Sequence, residues 1–275
     1  MSGRNYYYLV AGLPDLVMEQ SKVKSTLQEL KTELAHYLHP ADFRLVEQLF
    51  WPIDHRNVYH LLLKTGEAYQ PGGRFSVDEL EEEIKNPSRL PSYVATFIKA
   101  HKNNEPIWPQ LSWEDQLTAL YINEMERSSN KFMQHWFTFE KNLRNVLAAL
   151  TARKFKLDAS HFIIGDDEVS RAIARSQSRD FGIHDLFPQV ERIIQIFETT
   201  QLAEREKSLD VLRWNYLDEL NTFHYFTIEV ILAFIIKLQI VQRWMALDPK
   251  AGMEIFRRLL KDLENSYEFP KEFKK

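Results

Sequence analysis

A few histidine and glutamate residues stand at spacings that metal chemistry uses. Glu33-Leu-Ala-His36 places a carboxylate and an imidazole three residues apart, as in di-iron helical bundles. A di-iron centre needs two such motifs and further glutamates, and the sequence holds only this one. The pairs His36 with His39 and His55 with His60 lack additional ligands at helical spacing. We therefore predict no metal site and interpret Glu33 and His36 as residues on a solvated helix face.

Two other polar stretches have compositions that could bind ions. The acidic run Gly165–Glu168 lacks the alternating ligands of a calcium loop, and acidic residues are typical of a helix N-terminus. The stretch Ser170–Asp180 is dense in arginine and serine and has the composition of a site for phosphate or an acidic partner. A solvated helix with a polar end explains it more simply. We favour the structural interpretation for both stretches.

Nucleotide and thiol chemistry are disfavoured by composition. The chain has only 8 glycines among 275 residues, and Gly72-Gly73 leads to no phosphate-binding loop. It contains no cysteine, which excludes disulfides, thiol nucleophiles and thiolate metal sites. A net charge of −4 gives no electrostatic footprint for nucleic acid. We predict no catalytic residue, no cofactor and no enzymatic activity.

Helix-forming residues dominate between the prolines, so the sequence predicts an all-α fold. We expect an elongated multi-helix bundle with long helices and two or three related helical subdomains. The most apolar stretch, 223–244, has its longest charge-free run at Val230–Ile236, too short to span a bilayer. Because its apolar residues lie on several sides of a helix, we predict that it is buried as a central helix.

Helix boundaries follow from prolines and capping residues. Helices are predicted at 14–36, 41–50 and 53–64, with Trp51-Pro52 breaking the chain between the last two. A long helical region from Ser112 is expected to bend at residues 128–130, and another runs from 202 to 247. Pro249 is predicted to start a last helix, whose apolar face carries Phe256, Leu259, Leu260 and Leu263.

A second linker after the loop Tyr69–Arg74, at Asn103–Pro109, suggests a division of the chain. We expect an N-terminal helical subdomain at residues 1–106 and a long-helix subdomain at residues 107–275. One continuous domain is the alternative.

A weak repeat relates three segments of the chain. Each has an aromatic residue, then an acidic residue three or four positions later, then an apolar helical run: Trp51 with Asp54, Trp136 with Glu140, and Phe226 with Glu229. In the first two segments the spacing from tryptophan to asparagine, Asn57 and Asn142, is the same. The repeat indicates a threefold helical architecture, and chance similarity among amphipathic helices is the alternative.

The chain has a tyrosine-rich start, Tyr6–Ala11, and two repeated helices that carry the segments Asp54–Asn57 and Glu140–Asn142. With these features the sequence resembles the central-stalk adapter family of the V/A-type ATPases, which are called C-type or d-type subunits. More closely, it resembles an uncharacterised bacterial family whose genes lie among V-type ATPase genes. The chain is shorter than those adapters, and its third copy has Leu232 where the others have asparagine.

The resemblance implies a non-catalytic adapter that links the rotor shaft to the membrane proteolipid ring. Its partners would be the shaft subunits and the ring, and it would be cytoplasmic and peripheral to the inner membrane through that complex. Contact with the shaft is expected near Asp54, Asn57, Glu140 and Asn142, with hydrogen bonding at helix starts as the alternative role. A free-standing helical interaction scaffold and an enzyme without a linear motif are the alternative functions.

Overall fold

Every regular element in the described part of the chain is a helix, which confirms the predicted all-α class. The structure is a computed structural model and describes residues 4–18, 20, 23 and 26–247. A 3-10 turn, Ala159–His161, lies between α7 and α8. The α-helices are α1 Tyr7–Gly12, α2 Leu27–Tyr37, α3 Pro40–Leu63, α4 Val77–Lys85, α5 Ser92–Asn103, α6 Trp113–Glu126, α7 Lys131–Phe155, α8 Glu168–Arg175, α9 Val190–Phe197, α10 Leu202–Leu220 and α11 Ile228–Leu247.

The chain divides into two compact units. Unit 1 comprises Met1–Val46 with His224–Lys275, and unit 2 comprises Glu47–Phe223. This division differs from the one expected at residues 106 and 107, which lie inside unit 2. Helices α5 and α6 pack together across that linker, and the rings of Phe97 and Trp113 meet edge to face with centroids 5.9 Å apart. An apolar contact of this kind holds the two sides of the linker in one unit.

Helix α3 runs without a break through Pro52, so the predicted interruption at Trp51-Pro52 was wrong. A proline inside a helix removes the bond to the carbonyl four residues earlier, here that of Gln48. The hydroxyl of Tyr121 donates a hydrogen bond to this carbonyl oxygen at 2.9 Å. A side chain of α6 therefore supplies the donor that the proline lacks, and the helix continues.

Helix α7 is the centre of unit 2, where it packs against α6, α8, α9 and α10. The predicted bend at residues 128–130 is confirmed, since α6 ends at Glu126 and α7 begins at Lys131. Asn130 caps α7 by accepting a hydrogen bond from the backbone N–H of Met133 at 3.1 Å. The helix ends where Lys156 takes the left-handed conformation, with φ of 57°.

Helix α11 belongs to unit 1, where it packs against α2. The region predicted as helical from 202 to 247 is in fact interrupted after α10, and residues 221–227 form a turn in which Phe223 and Tyr225 are exposed. By length and mean hydropathy α11 alone, among the described helices, is apolar enough to cross a membrane, a test that core helices of soluble proteins also pass. Nine of its 20 residues are buried: Ile228, Ile231, Leu232, Ala233, Ile235, Ile236, Leu238, Ile240 and Val241.

Helix α2 is shorter than predicted. The described residues between Pro14 and Thr26 are not helical, and α2 begins at Leu27. Its start is fixed by a capping box, in which Thr26 accepts from the N–H of Glu29 and the Glu29 carboxylate accepts from the N–H of Thr26. The helix predicted from Pro249 onward lies outside the described residues.

Candidate functional site

Asp54, one of the residues predicted to contact a partner, holds a loop of its own chain. Its side chain is buried on α3 with 4% exposure. The carboxylate accepts hydrogen bonds from the backbone N–H of Arg74 at 2.8 and 3.1 Å and from that of Phe75 at 3.4 Å. A Cβ on Gly73 would collide with Oδ1 of Asp54, so this close approach requires glycine. Asp54 thus fixes the end of the loop that precedes α4.

Asn57 fixes the same loop at an earlier point. It is also buried, and its side-chain amide makes two hydrogen bonds with the backbone of Gln70. Oδ1 accepts from the N–H of Gln70 at 2.8 Å, and Nδ2 donates to its carbonyl oxygen at 2.8 Å. This two-bond contact satisfies the backbone polar groups of an irregular segment that has no secondary-structure partner.

The same two-bond contact recurs on α7, but at Asn145. Its Oδ1 accepts from the N–H of Ile164 at 2.9 Å, and its Nδ2 donates to the carbonyl of Ile164 at 2.7 Å. Asn142, which the sequence repeat aligns with Asn57, lies one turn earlier, and its buried Oδ1 has no hydrogen-bond partner among the described residues. The same local contact thus recurs on α3 and α7, but on α7 it is made by Asn145, three residues after the asparagine that the sequence repeat aligns with Asn57.

Glu140, the fourth predicted contact residue, pairs α7 with α10. Its carboxylate accepts from Nε of Arg213 at 2.7 Å, and Arg213 also pairs with the buried Asp210 at 3.1 Å. Burial lowers the pKa of Arg213, but the two carboxylates outweigh it and raise the pKa above its usual range. The guanidinium is therefore always charged and joins the two helices.

A second charged group lies beside Glu140 on α7. The ammonium of Lys141 has 4% exposure and forms ion pairs with Glu126 at 2.6 Å and with Asp167 at 2.7 Å. Asp167 is also the N-cap of α8, where it accepts from the N–H of Ser170 at 3.2 Å. The acidic run Gly165–Glu168 thus starts a helix, as predicted, and its capping residue neutralises a buried lysine.

Two further buried polar side chains hold loops in unit 2. Glu83, on α4, accepts hydrogen bonds from the backbone N–H groups of Ser88, Arg89 and Leu90. Burial raises the pKa of Glu83, but these bonds and the Arg89 side chain prevail and lower it to about 2. Gln116, on α6, accepts from the N–H of Ile107 at 2.8 Å and donates to the carbonyl of Leu111 at 3.0 Å. Sequence analysis missed both residues, because single polar residues in a helix give no signal of burial.

His55 is buried and has a strongly shifted pKa, two properties that active-site residues often share. It shares a 2.7 Å hydrogen bond with the hydroxyl of Tyr93, and burial lowers the pKa of His55 to about 3. The cavity beside His55 and Asp54 measures about 10 Å³, close to the space that one water molecule needs. A substrate has no room there, and His55 is a neutral packing residue.

Metal ligands do not converge in the described part of the chain: no group of three or more histidine, aspartate or glutamate side chains there is arranged to hold an ion. His36 donates to the carbonyl of Thr32, and His60 lies 2.7 Å from the hydroxyl of Thr65. The histidines considered from the sequence are thus engaged in local hydrogen bonds.

Unit 1 presents exposed aromatic side chains around α1. Tyr7 and Phe226 lie with ring centroids 4.6 Å apart, and Tyr8 and Tyr37 lie 6.4 Å apart. We call these four residues the aromatic surface; their exposed fractions run from 38% for Phe226 to 81% for Tyr8. Exposed aromatic groups are enriched where proteins bind one another.

Tyr6 connects α1 to one member of the aromatic surface, Phe226. Its backbone N–H donates to the carbonyl of Phe226 at 2.6 Å, and its hydroxyl donates to Asp42, which also pairs with Arg4 at 3.3 Å. Burial and the hydrogen bond to Asp42 raise the pKa of Tyr6 to about 12, so the hydroxyl stays protonated. These contacts join the residue that precedes α1 to Phe226 and to α3.

Comparison with known proteins identifies a family for this chain, but the description of that family names no activity. No curated protein and no solved structure matches the chain. One family model, described as "Protein of unknown function (DUF2764)", matches residues 3–267, nearly the whole chain. The chain therefore belongs to the DUF2764 family.

Proposed function

We propose that this chain is a non-catalytic adapter of a V/A-type ATPase, seated between the rotor shaft and the membrane proteolipid ring. The proposal starts from the resemblance to the d-type adapters of the central stalk. An adapter of this kind transmits torque mechanically, so it needs stiffness and two docking surfaces and requires no reactive group.

The observation that carries the proposal is the way unit 2 holds its loops. Buried side chains on four different helices bind the backbone of four connecting loops: Asp54 with Asn57, Glu83, Gln116 and Asn145. Loops are usually the most mobile parts of a protein, because few contacts hold them. Hydrogen bonds from buried helix positions remove that freedom, which suits a part that must not deform under load.

The recurring asparagine contact supports the resemblance. Asn57 and Asn145 each bind both backbone groups of one residue in the loop that leads to the next helix. Two copies of one local arrangement favour an origin by duplication of a helical unit, as the resemblance implies. The corresponding region after α11 lies outside the described residues.

The docking surfaces are part of the proposal. A shaft contact near Asp54, Asn57, Glu140 and Asn142 stays a prediction, and in this structure all but Glu140 of these are buried. The aromatic surface of unit 1 is exposed, and we expect it to bind one of the ATPase partners.

Co-purification tests the proposal. The full-length chain carrying an affinity tag, expressed at native level in its own cells, should recover shaft and ring subunits of the V-type ATPase. The control is a chain with Tyr7→Ser and Tyr37→Ser, which alters the aromatic surface and should recover less of them. If shaft and ring subunits are both absent from the recovered material, the rotor role is excluded.

The aromatic surface also favours a second candidate, a free-standing interaction scaffold. The same experiment separates the two functions. Recovery of a different protein, lost with Tyr7→Ser and Tyr37→Ser and unrelated to the ATPase, would favour the scaffold.

A further inference from the structure

The C-terminal end of α7, the central helix of unit 2, is open to solvent. Residues 154–158 are all exposed. Two of them are large apolar residues, Phe155 with 64% and Leu157 with 55% exposure, and Phe162 in the loop that follows has 38%. Apolar groups exposed close together mark binding surfaces, whereas single ones are common anywhere. We call residues 154–162 the α7 tip.

Hydrogen bonds define the shape of the α7 tip. At its start, Lys156 takes the left-handed conformation and the backbone N–H of Leu157 donates to the carbonyl of Ala152 at 2.8 Å, as in a Schellman motif. After its last residue, the buried Ile164 is bound by Asn145 of α7. The apolar residues of the tip are therefore exposed within a loop that is joined to α7 at both ends.

Basic residues alternate with apolar residues in the tip. The sequence from residue 154 to residue 157 is Lys-Phe-Lys-Leu. Neither Lys154 nor Lys156 forms an ion pair with a described residue. The acid of the tip, Asp158, accepts a hydrogen bond at 2.9 Å from a backbone N–H of the 3-10 turn that follows it. The two lysines thus have no carboxylate partner of their own in the described part of the chain.

The end of α8 adds positive charge beside the tip. Arg153 donates to the carbonyl of Ser176 at 2.7 Å, which places the C-terminal end of α8 next to that of α7. Of these residues, Arg179 pairs with Glu198 at 3.6 Å. Residues 153–162 and 175–180 together carry more basic than acidic side chains: Arg153, Lys154, Lys156, Arg175 and Arg179 against Asp158 and Asp180. The tip is therefore locally positive on a chain whose net charge is −4.

The acidic residues at the start of α8 lie too far away to cancel this charge. Asp167 pairs with Lys141, which stands twelve residues before Arg153 on α7. Twelve residues correspond to about 18 Å along the helix axis. The Debye length at physiological salt is about 8 Å, so a ligand at the tip is screened from those acids.

A bilayer with anionic phospholipids fits both features of the tip. Its phosphates lie in the headgroup layer and its hydrocarbon lies just below, so lysines can stay with the phosphates while neighbouring apolar side chains leave water. A purely polar acidic partner would pair with the lysines and leave the apolar residues exposed. We propose that the α7 tip binds anionic membrane surfaces, with Lys154 and Lys156 at the headgroups and Phe155 and Leu157 at the boundary with the acyl chains.

This inference is independent of the ATPase proposal, because it concerns a contact between one chain and lipid. Detergent removes the bilayer. Phe155→Ser should therefore weaken the membrane contact and still leave the recovery of ATPase subunits from detergent extracts unchanged.

Flotation of the purified full-length chain with lipid vesicles tests the inference. The vesicles are phosphatidylcholine alone or phosphatidylcholine with about one third phosphatidylglycerol, which supplies the negative charge. The chain should bind the anionic vesicles about tenfold more tightly or better, and Lys154→Gln with Lys156→Gln should remove about tenfold of that affinity. Phe155→Ser should lower it by about fivefold, because it removes an apolar ring from the lipid boundary.

A matched control removes two lysines from elsewhere in unit 2. Lys64 is exposed and left-handed at the end of a helix, as Lys156 is, and Lys99 is exposed on α5. Lys64→Gln with Lys99→Gln should keep the affinity for anionic vesicles. Equal binding to both kinds of vesicle, no binding to either, or an equal loss in the two lysine pairs would overturn the inference. Unchanged binding of Phe155→Ser would overturn it too, because the lysines alone would then account for the attraction.

A fluorescent label gives an independent readout, and the chain is suited to it because it has no cysteine of its own. Leu157→Cys carries a polarity-sensitive dye at the tip, and Leu202→Cys carries it at a residue of α10 with 63% exposure. With anionic vesicles the emission should rise at least twofold at position 157 and stay the same at position 202. An equal rise at both positions, or none at position 157, would overturn the inference.

Discussion

The hydroxyl of Tyr121 lies 2.9 Å from the carbonyl oxygen of Gln48 and donates to the one helical acceptor that Pro52 leaves without its backbone donor. Burial raises the pKa of Tyr121 above its usual range, so the hydroxyl keeps its proton at neutral pH and can donate it. A bond between α6 and α3 therefore replaces a bond within α3, and it couples the continuity of one helix to the packing of another.

We predict that Tyr121→Phe lowers the free energy of unfolding by about 1 kcal/mol, because it leaves the part-buried carbonyl of Gln48 without its hydrogen-bond donor. Urea unfolding of the full-length chain measures this change. In a Pro52→Ala background the backbone N–H of residue 52 can bond to Gln48 itself, so the same substitution should cost clearly less. An equal cost in both backgrounds would show that the hydrogen bond to Gln48 is not what Tyr121 contributes.

Substitutions at Asn145 and Asn142 test which of these two residues makes the contact that Asn57 makes on α3. Asn145→Leu removes both bonds to buried backbone groups of Ile164 and should cost about 2–4 kcal/mol of unfolding free energy. Asn142→Leu, on the same helix and equally buried, removes an oxygen that has no partner among the described residues and should cost less than half as much. If Asn142→Leu proved the more damaging, the sequence alignment of Asn142 with Asn57 would be right and the structural one wrong.

The sequence predicted well those elements that depend on neighbouring residues. Ser112 as the cap of α6 and the break at residues 128–130 were both found, because a cap depends on residues three positions apart. The continuity of α3 was missed, since it depends on a hydroxyl from Tyr121, 73 residues from Gln48. No local pattern reports a contact at that distance.

The predicted site residues illustrate the same limit. Asp54 and Asn57 were selected as polar residues that could face a partner, yet they bind loop residues 13 to 21 positions away. Asn145 was overlooked because the spacing from the tryptophan favoured Asn142. A sequence pattern can identify a polar residue in a helix. Whether that residue is buried depends on which loop packs over it, and the local sequence does not show this.

The stability of the protein should fall on acidification, with His55 as one identified cause. Its pKa is about 3 in the folded chain and near 6.5 when unfolded, so below pH 6.5 the unfolded state binds a proton that the folded state does not. Stability from this residue is complete above pH 6.5 and is lost as the pH falls toward 3, with a slope of up to about 1.4 kcal/mol per pH unit.

Urea unfolding at pH 7, 6 and 5 measures that slope. The variant His55→Gln should depend less on pH than the unaltered chain over this range, whatever its stability at pH 7. His36→Gln, which replaces an exposed histidine on α2, is the control for the loss of one histidine. Parallel curves for His55→Gln and the unaltered chain would show that His55 titrates alike in both states.

The aromatic surface should affect binding without affecting folding. Tyr7→Ser together with Tyr37→Ser removes exposed rings, so we expect a change in unfolding free energy within about 1 kcal/mol. Recovery of ATPase subunits in the affinity purification should drop at least tenfold. Phe155→Ser, which removes a comparably exposed ring from unit 2, is the matched control and should leave recovery unchanged. An equal loss with Phe155→Ser would indicate nonspecific adhesion.

Binding between purified components tests the adapter proposal most directly. The measurement is sedimentation velocity of the full-length chain mixed with the shaft subunits of the V-type ATPase from the same cells, and separately with the detergent-solubilised proteolipid ring. We predict a complex with one chain per shaft and a second complex with the ring. Sedimentation of the chain at its own rate in both mixtures, up to tens of micromolar partner, would contradict the account.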